Sequence, residues 1–315
     1  MKSFARLTGL AAAALVAVLC SAGLAQAQLR LPRPSQKASV TQTIGVTDVS
    51  VTYSRPGVKG RKIWGDPPAG AAAGTATLDD ARSRPADAVL VPYGRVWRAG
   101  ANEATLFRVT DDVLINGQPL PAGGYSLHMI PGRDEWTIIF NKDEGQWGSF
   151  SYDEKKDALR IKVKPETSAA NQEWLSYTIE PETESTARVN LRWEKLTVPF
   201  TVEVKDVKAL AIAKAREALA AAKPDDWQSP LQAANYALNN KLDLNEAMRW
   251  AEQSIKAKEN FNNLGLKARI LAAQGKTADA VATGEKALQV GKAANANAQA
   301  MANFEKTLAE WKSKM

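Results

Sequence analysis

The residues that could perform chemistry are few in this sequence, and they form no catalytic set. The chain has one histidine, His128, and one cysteine, Cys20. A serine nucleophile needs a neighbouring base, and a zinc site needs several histidine or cysteine ligands. The segment 148–152 around Ser149 also lacks the second glycine of a nucleophile elbow. The sequence therefore predicts no catalytic residue, no metal site and no cofactor.

Two kinds of titratable residue leave an enzymatic alternative open. If Leu127 faces the core, its neighbour His128 faces water, where a histidine is usually just solvated. Acidic pairs lie near turns and have no calcium-loop spacing; they are Asp111-Asp112, Asp143-Glu144 and Asp153-Glu154. Two such carboxylates about 5–10 Å apart would suit glycoside hydrolysis. A carboxylate-based glycan hydrolase is therefore the enzymatic alternative, and surface solvation is the simpler explanation of these acids.

One region concentrates cations, glycines and aromatic side chains. Arginine binds carboxylates and phosphates at two points, and tryptophan faces stack on sugars or cations. We expect the segment from Arg55 to Arg61 to lie beside the segment from Trp97 to Asn102, as a cleft for an anionic or glycan-like ligand. The candidate ligand-binding residues are Arg55, Lys59, Arg61, Trp64, Trp97, Arg98 and Asn102. The structural alternative is that the arginines pair with buried acids or loop carbonyls.

The elements that must position these residues are strands in the first part of the chain, residues 28–205. Apolar and polar residues alternate in six runs, which is typical of strands with one face in the core. Turn signals such as Asn116-Gly117 separate the runs, and Pro199 within the last run favours an edge strand. Many short strands without intervening helices predict a mainly β domain of antiparallel sheets, closed as a sandwich or a barrel, and we expect a sandwich of jelly-roll-like type. The apolar positions are Val49, Val51, Tyr53; Tyr125, Leu127, Met129; Trp136, Ile138, Phe140; Leu159, Ile161, Val163; Val189, Leu191, Trp193; and Val198, Phe200, Val202, Val204.

A stretch without strand periodicity interrupts this domain at residues 66–88. It contains Pro67-Pro68, Gly70, a run of alanines and mixed charges. It is roughly 20 residues long, which is longer than the loops that compact domains usually carry. We expect a mobile surface loop, and a tolerated insertion is favoured over a lid.

The sequence of residues 206–315 predicts an all-α tail. Asp206 is expected to start a helix that Pro224 stops, and Ser229, Asp243 and Thr277 are candidate caps of the next helices. A repeat with a spacing of 33 relates Leu238, Ala247, Glu252 and Ile255 to Leu271, Ala280, Glu285 and Leu288. This spacing is typical of tetratricopeptide helix pairs. A plain helical bundle that covers one face of the sandwich is the alternative.

The first 27 residues have the order of a secretory signal peptide. Lys2 and Arg6 precede an apolar run from Leu7 to Leu24, and Ala25-Gln26-Ala27 offers small residues for cleavage. The run is at the lower limit for a membrane span and no charged stop follows it. We expect a periplasmic or secreted protein with no membrane span after cleavage and, because Cys20 leaves with the leader, no disulfide.

Ordered motif pieces across residues 36–204 carry a family resemblance. They are Tyr53-Ser54-Arg55-Pro56, Lys59-Gly60-Arg61, Trp64-Gly65, Val96-Trp97-Arg98, Gly100-Ala101-Asn102, Ala104-Thr105, Ala122-Gly123, Tyr125-Ser126-Leu127, Ile130-Pro131, Glu135-Trp136-Thr137, Asn141-Lys142, Trp147-Gly148, Asp157 and Arg160. The chain resembles the bacterial domain of unknown function 2911, and its tail resembles the helical extension such proteins often carry. The resemblance implies an exported β domain and no established activity or ligand. The long loop and His128 depart from the family pattern.

Composition and charge reduce the number of functional classes that fit this chain. The hydrophobic fraction of 45% and nine tryptophans predict packed structure rather than disorder. The formal net charge of +7 includes Lys2 and Arg6 of the leader, and no dense basic stripe of a nucleic-acid binder is present. The leading hypothesis is a non-enzymatic binding or scaffold protein of the cell envelope. The alternatives are the glycan hydrolase and a structural or assembly module that binds a protein or peptide through its helical repeats.

Overall fold

Strands account for most of the chain between residues 36 and 203. The structure is a computed structural model that describes residues 31–67 and 89–315. The predicted leader and residues 68–88 of the predicted loop lie outside this range. The strands are β1 (Gln36–Ile44), β2 (Thr47–Arg55), β3 (Trp64–Gly65), β4 (Val91–Pro92), β5 (Thr105–Val109), β6 (Val113–Ile115), β7 (Gln118–Leu120), β8 (Gly123–Ile130), β9 (Trp136–Asn141), β10 (Asp157–Val163), β11 (Glu166–Pro181) and β12 (Thr186–Glu203).

Two antiparallel sheets face each other in this β region. One has the strand order β1-β2-β5-β8-β9-β10 and the other has the order β11-β12-β6-β7. Phe107 and Phe140 of the six-stranded sheet contact Phe200 of the four-stranded sheet, with ring centroids 5.9 and 5.7 Å apart. The short strands β3 and β4 pair in parallel beside them. The predicted antiparallel sandwich is confirmed.

Alternation along the strands places the core where the sequence predicts it. In β2, Val49 and Val51 are fully buried while Ser50 and Thr52 are half-buried. The two last predicted runs form one strand, β12, in which Glu194 has a φ of 53°. The irregular pairing with β11 around Glu194 shifts the alternation, so that inward positions are odd-numbered up to Trp193 and even-numbered from Val198.

The prediction that Pro199 marks an edge strand is wrong, because β12 lies between β11 and β6. The pairing itself explains how a proline is tolerated there. The ladder with β11 extends to Thr197, and the ladder with β6 involves Val202 and Glu203. Pro199 lies between the two ladders, where no inter-strand pair of either ladder requires its backbone N–H.

The described residues after Glu203 form six helices. They are α1 (Val207–Ala220), α2 (Gln228–Asn239), α3 (Leu244–Ala257), α4 (Phe261–Ala273), α5 (Thr277–Ala293) and α6 (Ala298–Lys312). The starts of α2 and α4 are 33 residues apart, and so are the starts of α3 and α5. The helices and their predicted spacing are therefore present, while a tetratricopeptide identity stays a prediction. No helix among the described residues combines the length and the apolar character needed to cross a bilayer.

The predicted helix start at Asp206 is confirmed, and one of the three predicted caps, Asp243, is correct. Asp206 accepts from the backbone N–H of Ala209, and Asp243 accepts from the N–H groups of Asn245 and Glu246. Ser229 is not the cap of α2, because the Asp226 carboxylate accepts from the N–H groups of Gln228 and Ser229 itself. Thr277 is likewise the first residue of α5 rather than its cap.

The first helix of the tail is tied to the β region. Lys214 Nζ donates to Asp111 Oδ2 at 2.6 Å and to the backbone oxygen of Val46 at 2.8 Å. Hydrogen bonds from Lys214 and two threonines lower the pKa of Asp111 against the opposing effect of burial. Val207 and Leu210 pack on the β core. Independent folding of residues 28–205 stays a prediction.

Candidate functional site

The predicted cationic segment from Arg55 to Arg61 leaves β2 and runs beside β11. Val58 donates its backbone N–H to Glu173 O at 2.8 Å, and Leu175 donates to Pro56 O at 3.0 Å. Gly57 forms an isolated antiparallel bridge with Trp174. The segment is therefore fixed by main-chain pairing along β11, the edge strand of the four-stranded sheet.

The three predicted arginines donate to backbone carbonyls. Arg55 Nε reaches Leu175 O at 2.8 Å, Arg61 Nη2 reaches Gly57 O at 2.5 Å, and Arg98 Nη1 reaches Asn102 O at 3.0 Å. These are contacts that the bracing alternative expects. Within the described part of the chain, neither Arg55 nor Arg61 has a carboxylate at ion-pair distance. Their charge remains uncompensated there, and a ligand-binding role stays a prediction.

Trp64 and Trp97 belong to a cluster of four indoles. The ring centroid of Trp64 lies 5.7 Å from Trp97, 5.0 Å from Trp136 and 5.5 Å from Trp193. Trp97 is 4% exposed, stacks on Trp193 and donates Nε1–H to Gly100 O. The structure thus places Trp97 in the core, where it offers no open face to a ligand.

The two predicted segments do approach each other. Gly100 lies against Ser54, the residue before Arg55, so closely that a Cβ there would be 3.2 Å from Ser54 O. Tyr177 on β11 donates its hydroxyl to Ala99 O at 3.0 Å. The loop around Gly100 is tightly turned, since Ala99 and Asn102 have φ values of 52° and 59°. The two segments are held together by packing. Trp64 and Trp97, which were expected to form the walls of a cleft, instead pack in the indole cluster.

An exposed tryptophan that the sequence analysis did not single out lies on this side of the β region. Trp174 is 40% exposed, and Lys59 Nζ lies 5.6 Å from its ring centroid. Lys59 also donates its backbone N–H to Glu173 Oε1 at 2.8 Å. The predicted cation Lys59 is thus engaged in a cation–π contact.

The prediction that His128 faces water is wrong. His128 is fully buried, and its ring nitrogens lie 3.0 Å from Ser126 Oγ and 3.0 Å from Ser149 Oγ. Strand β8 lies inside the six-stranded sheet, and the segment 142–153 covers its outer face with Gln146, Ser149 and Tyr152. Both faces of β8 are therefore closed to solvent.

Tyr152, Asp157 and Arg160, beside the buried His128, are linked to one another by hydrogen bonds. Tyr152 donates to Asp157 Oδ2 at 2.7 Å, and Arg160 Nη2 donates to the Tyr152 oxygen at 2.6 Å. Burial lowers the pKa of His128 from 6.5 to about 4, although Asp157 and Asp143 act in the opposite direction. Burial and the hydrogen bond to Asp157 raise the pKa of Tyr152. Both ring nitrogens of His128 face serine hydroxyls rather than a carboxylate, so the geometry is not that of a catalytic triad.

The outer side of the same segment presents two large aromatic rings. Trp147 is 54% exposed and Phe150 is 57% exposed. The residues before Trp147, from Glu144 to Gln146, contribute to the lining of a cavity of about 180 Å³. Its lining residues are Lys37, Thr52, Tyr53, Ser54, Glu103, Ala104, Leu106, Glu144, Gly145 and Gln146.

Comparison with known families assigns this β region. The family described as "protein of unknown function (DUF2911)" matches residues 35–202, a little more than half of the chain. The chain belongs to the DUF2911 family. No curated protein matches it, and no solved structure does. Within residues 31–67 and 89–315, no three acidic, histidine or cysteine side chains are grouped to hold a metal ion.

The helices that follow the DUF2911 region contain a second candidate site. A groove of about 470 Å³ crosses α2, α4 and α6, which are alternate helices of the tail. Arg269 of α4 lies in it and donates to the amide oxygens of Asn235 at 3.4 Å and Asn239 at 3.1 Å. The groove is lined by Leu231, Gln232, Asn235, Phe261, Asn262, Gly265, Leu266, Arg269, Ala300, Asn303, Phe304 and Thr307.

Proposed function

We propose that this DUF2911 protein is an exported, non-enzymatic binding protein of the cell envelope that holds an extended segment of a partner protein in its helical groove. The observation that carries the proposal is the groove across α2, α4 and α6. It joins two of the hypotheses drawn from the sequence, the binding protein and the module that acts through its helices. The glycan hydrolase stays a separate prediction.

The lining of the groove favours a polypeptide occupant. Leu231, Phe261, Leu266 and Phe304 give it an apolar floor, and amide side chains such as Asn303 stand at its edges. An extended peptide offers apolar side chains and backbone N–H and C=O groups, which this combination can bury and pair. Helices pack about 8–10 Å apart, so three helices span about 20 Å. At about 3.3 Å per residue, that length accommodates about six residues.

Arg269 predicts an acidic group in the bound segment. Its guanidinium is exposed and donates only to amide oxygens, and no carboxylate of the described chain lies at ion-pair distance. No other lysine or arginine lines the groove. A carboxylate of the partner can therefore pair with Arg269 without displacing an internal acid.

The export part of the proposal rests on the first 27 residues. Their basic start, apolar run and small residues before position 28 are typical of a cleaved leader. N-terminal sequencing of the protein from fractionated cells tests it. Cleavage near Ala27 is the expected result, and an intact N-terminus held in the inner membrane contradicts it.

Selection of peptides from a displayed random library on the full chain tests the groove. We expect enriched peptides with two or three apolar residues and an acid within about six positions. Fluorescence polarisation then gives Kd for the chain and for Arg269→Glu, which should weaken binding at least tenfold by placing like charges together.

The matched control is Lys306→Glu, an equal charge change on an exposed α6 residue outside the groove lining. It should leave Kd within twofold of the parent. Two results contradict the proposal: no peptide is enriched, or the enriched peptides bind Arg269→Glu as tightly as the parent.

A further inference from the structure

The outer edge of β1 is an open side of the six-stranded sheet. β1 is the first strand in the order β1-β2-β5-β8-β9-β10, and no strand of the described chain pairs with its outer side. We propose that this edge pairs with β1 of a second copy of the chain. The two strands run antiparallel about a two-fold axis and join the two sheets into one. The surface lies on the DUF2911 region and does not depend on the helical groove.

The other three edges of the two sheets are protected against such pairing. The segment 56–58 bonds to the outer side of β11. Strand β7 has three residues and contains Pro119, and β10 carries Arg160 and Lys162, which are both in ion pairs. Proteins prevent association of sheet edges by short length, proline and charge. β1 has nine residues, no proline and one charged residue, Lys37, so its main chain is an open template for another strand.

The turn after β1 determines which of its backbone groups point outward. Gly45 and Val46 form a two-residue turn, and Gly45 has a φ of 60°, as in the turns that close antiparallel hairpins. The residues that flank such a turn, here Ile44 and Thr47, bond to each other, and inward and outward groups alternate from there along β1. The side-chain amide of Gln42 donates to the backbone oxygen of Thr43 at 2.9 Å, which agrees with an outward direction of that oxygen. The outward N–H and C=O groups thus belong to Lys37, Ser39, Thr41 and Thr43.

A two-fold axis at Val40 uses all of these outward groups. It places Ser39 opposite Thr41 of the second copy, and Lys37 opposite Thr43 of the second copy. Each such pair exchanges two bonds, so the two strands share about eight hydrogen bonds. An axis at any other residue of β1 leaves Lys37 or Thr43 without a partner among the outward residues. A shift by a single residue between the strands would also bring core-facing side chains to the solvent face.

Charge complementarity favours a second copy of this chain as the occupant. Thr43 Oγ1 donates to Asp48 Oδ1 at 2.6 Å, so the Asp48 carboxylate lies beside Thr43 on the outer face of the sheet. Lys37 of the second copy stands opposite Thr43, two strand spacings of about 4.8 Å from Asp48, and the long lysine side chain can cover that distance. Lys37 has no ion pair with the described residues. The two-fold axis forms this contact twice and opposes no like charges.

Sedimentation velocity of the full chain between about 2 and 200 µM tests the association, because so small an interface gives weak binding. We expect the mean mass to rise from that of a monomer towards that of a dimer. Thr41→Pro removes an outward N–H and leaves the bonds to β2 intact, so it should be folded in thermal unfolding and monomeric throughout. Thr41→Ala, the matched control, keeps the N–H and should dimerise with a Kd within twofold of the parent.

Disulfide formation tests the register, in a Cys20→Ser background so that the leader contributes no thiol. Val40→Cys places the two thiols across the axis at a non-hydrogen-bonded pair, where Cα atoms about 4.5 Å apart permit a disulfide. Gln42→Cys is the control on the same face of β1, because its counterpart in the second copy lies about 14 Å away along the strand. We expect Val40→Cys to cross-link at least tenfold faster than Gln42→Cys under mild oxidation.

Three results overturn the proposal. The parent may be monomeric at every concentration, which would also be the result if only a strand of another protein bound β1. Folded Thr41→Pro may dimerise like the parent, which would place the interface elsewhere. The two cysteine variants may cross-link at equal rates, which would show random collision rather than pairing about Val40. Peptide binding in the helical groove is measured separately, so either proposal can fail without the other.

Discussion

Lowering the pH should destabilise the folded β region, because unfolding allows His128 to take up a proton. The imidazole is fully buried between two serine hydroxyls, and its pKa is about 4 in the folded chain against 6.5 for the free side chain. The unfolded chain therefore binds more protons between these values, so stability falls as pH drops through that window. The difference between the two pKa values lowers the free energy of unfolding, relative to neutral pH, by about 3 kcal/mol below pH 4 and by about 2 kcal/mol at pH 5.

The assay is urea unfolding followed by tryptophan fluorescence at several pH values from 7.5 to 5.0. Between these limits we expect the free energy of unfolding of the parent to fall by about 2 kcal/mol. His128→Gln cannot take up a proton. It should be less stable at pH 7.5 because it disturbs the hydrogen bonds to Ser126 and Ser149, and it should lose little further stability at pH 5.0.

The pH range isolates the histidine. Asp111 and Glu246 have lowered folded pKa values, so the stability they contribute is lost only as pH falls below their ordinary values of 3.8 and 4.5. Measurements above pH 5 therefore leave both largely ionised. Equal loss of stability in the parent and His128→Gln between pH 7.5 and 5.0 would refute the reasoning, because the titrating group would then be another one.

Three further predictions concern stability. Arg61→Ala and Arg98→Ala should each cost about 1 kcal/mol in thermal unfolding, because each loses hydrogen bonds to loop carbonyls; losses above about 3 kcal/mol in both would end the ligand-cleft hypothesis. Gly45→Ala should cost about 1–3 kcal/mol, since Gly45 has a φ of 60° and a Cβ would collide with Val207; an unchanged melting temperature would contradict this contact. The fragment 28–205 should unfold cooperatively when expressed alone, and an aggregated or molten fragment beside a folded full chain would show that the first helix completes its core.

Much of the β region follows from period-two alternation, and the exception shows what the pattern leaves out. Alternation correctly places Leu127 in the core, but it says only that His128 lies on the opposite face. Whether that face meets water depends on a segment that comes more than a dozen residues later in the chain. Gln146 and Ser149 give no periodic signal, and their burial is decided by tertiary packing over β8.

The candidate site illustrates a similar limit. Sequence spacing places Arg55, Gly57 and Arg61 in one short segment, but it cannot show that Trp193, far along the chain, stacks on Trp97. Exposed aromatic residues such as Trp147, Phe150 and Trp174 are distinguished from the buried ones only by the fold. The groove across α2, α4 and α6 could not be predicted from the sequence, because it depends on how the helices pack against one another. The spacing of 33 indicated only that helix pairs repeat.

The four-indole cluster gives the β region an optical property of its own. Trp97 and Trp193 are nearly parallel at 18°, whereas Trp64 is inclined to its three neighbours by 68–84°. Electronic transitions of chromophores about 5–6 Å apart couple, and inclined transition dipoles that couple give paired circular-dichroism bands of opposite sign. The rings come from strand β3, the loop before β5, and strands β9 and β12. A couplet in the far-ultraviolet spectrum would therefore disappear when the part of the chain that carries Trp64, the ring common to all three inclined pairs, separates from the rest, without any added label.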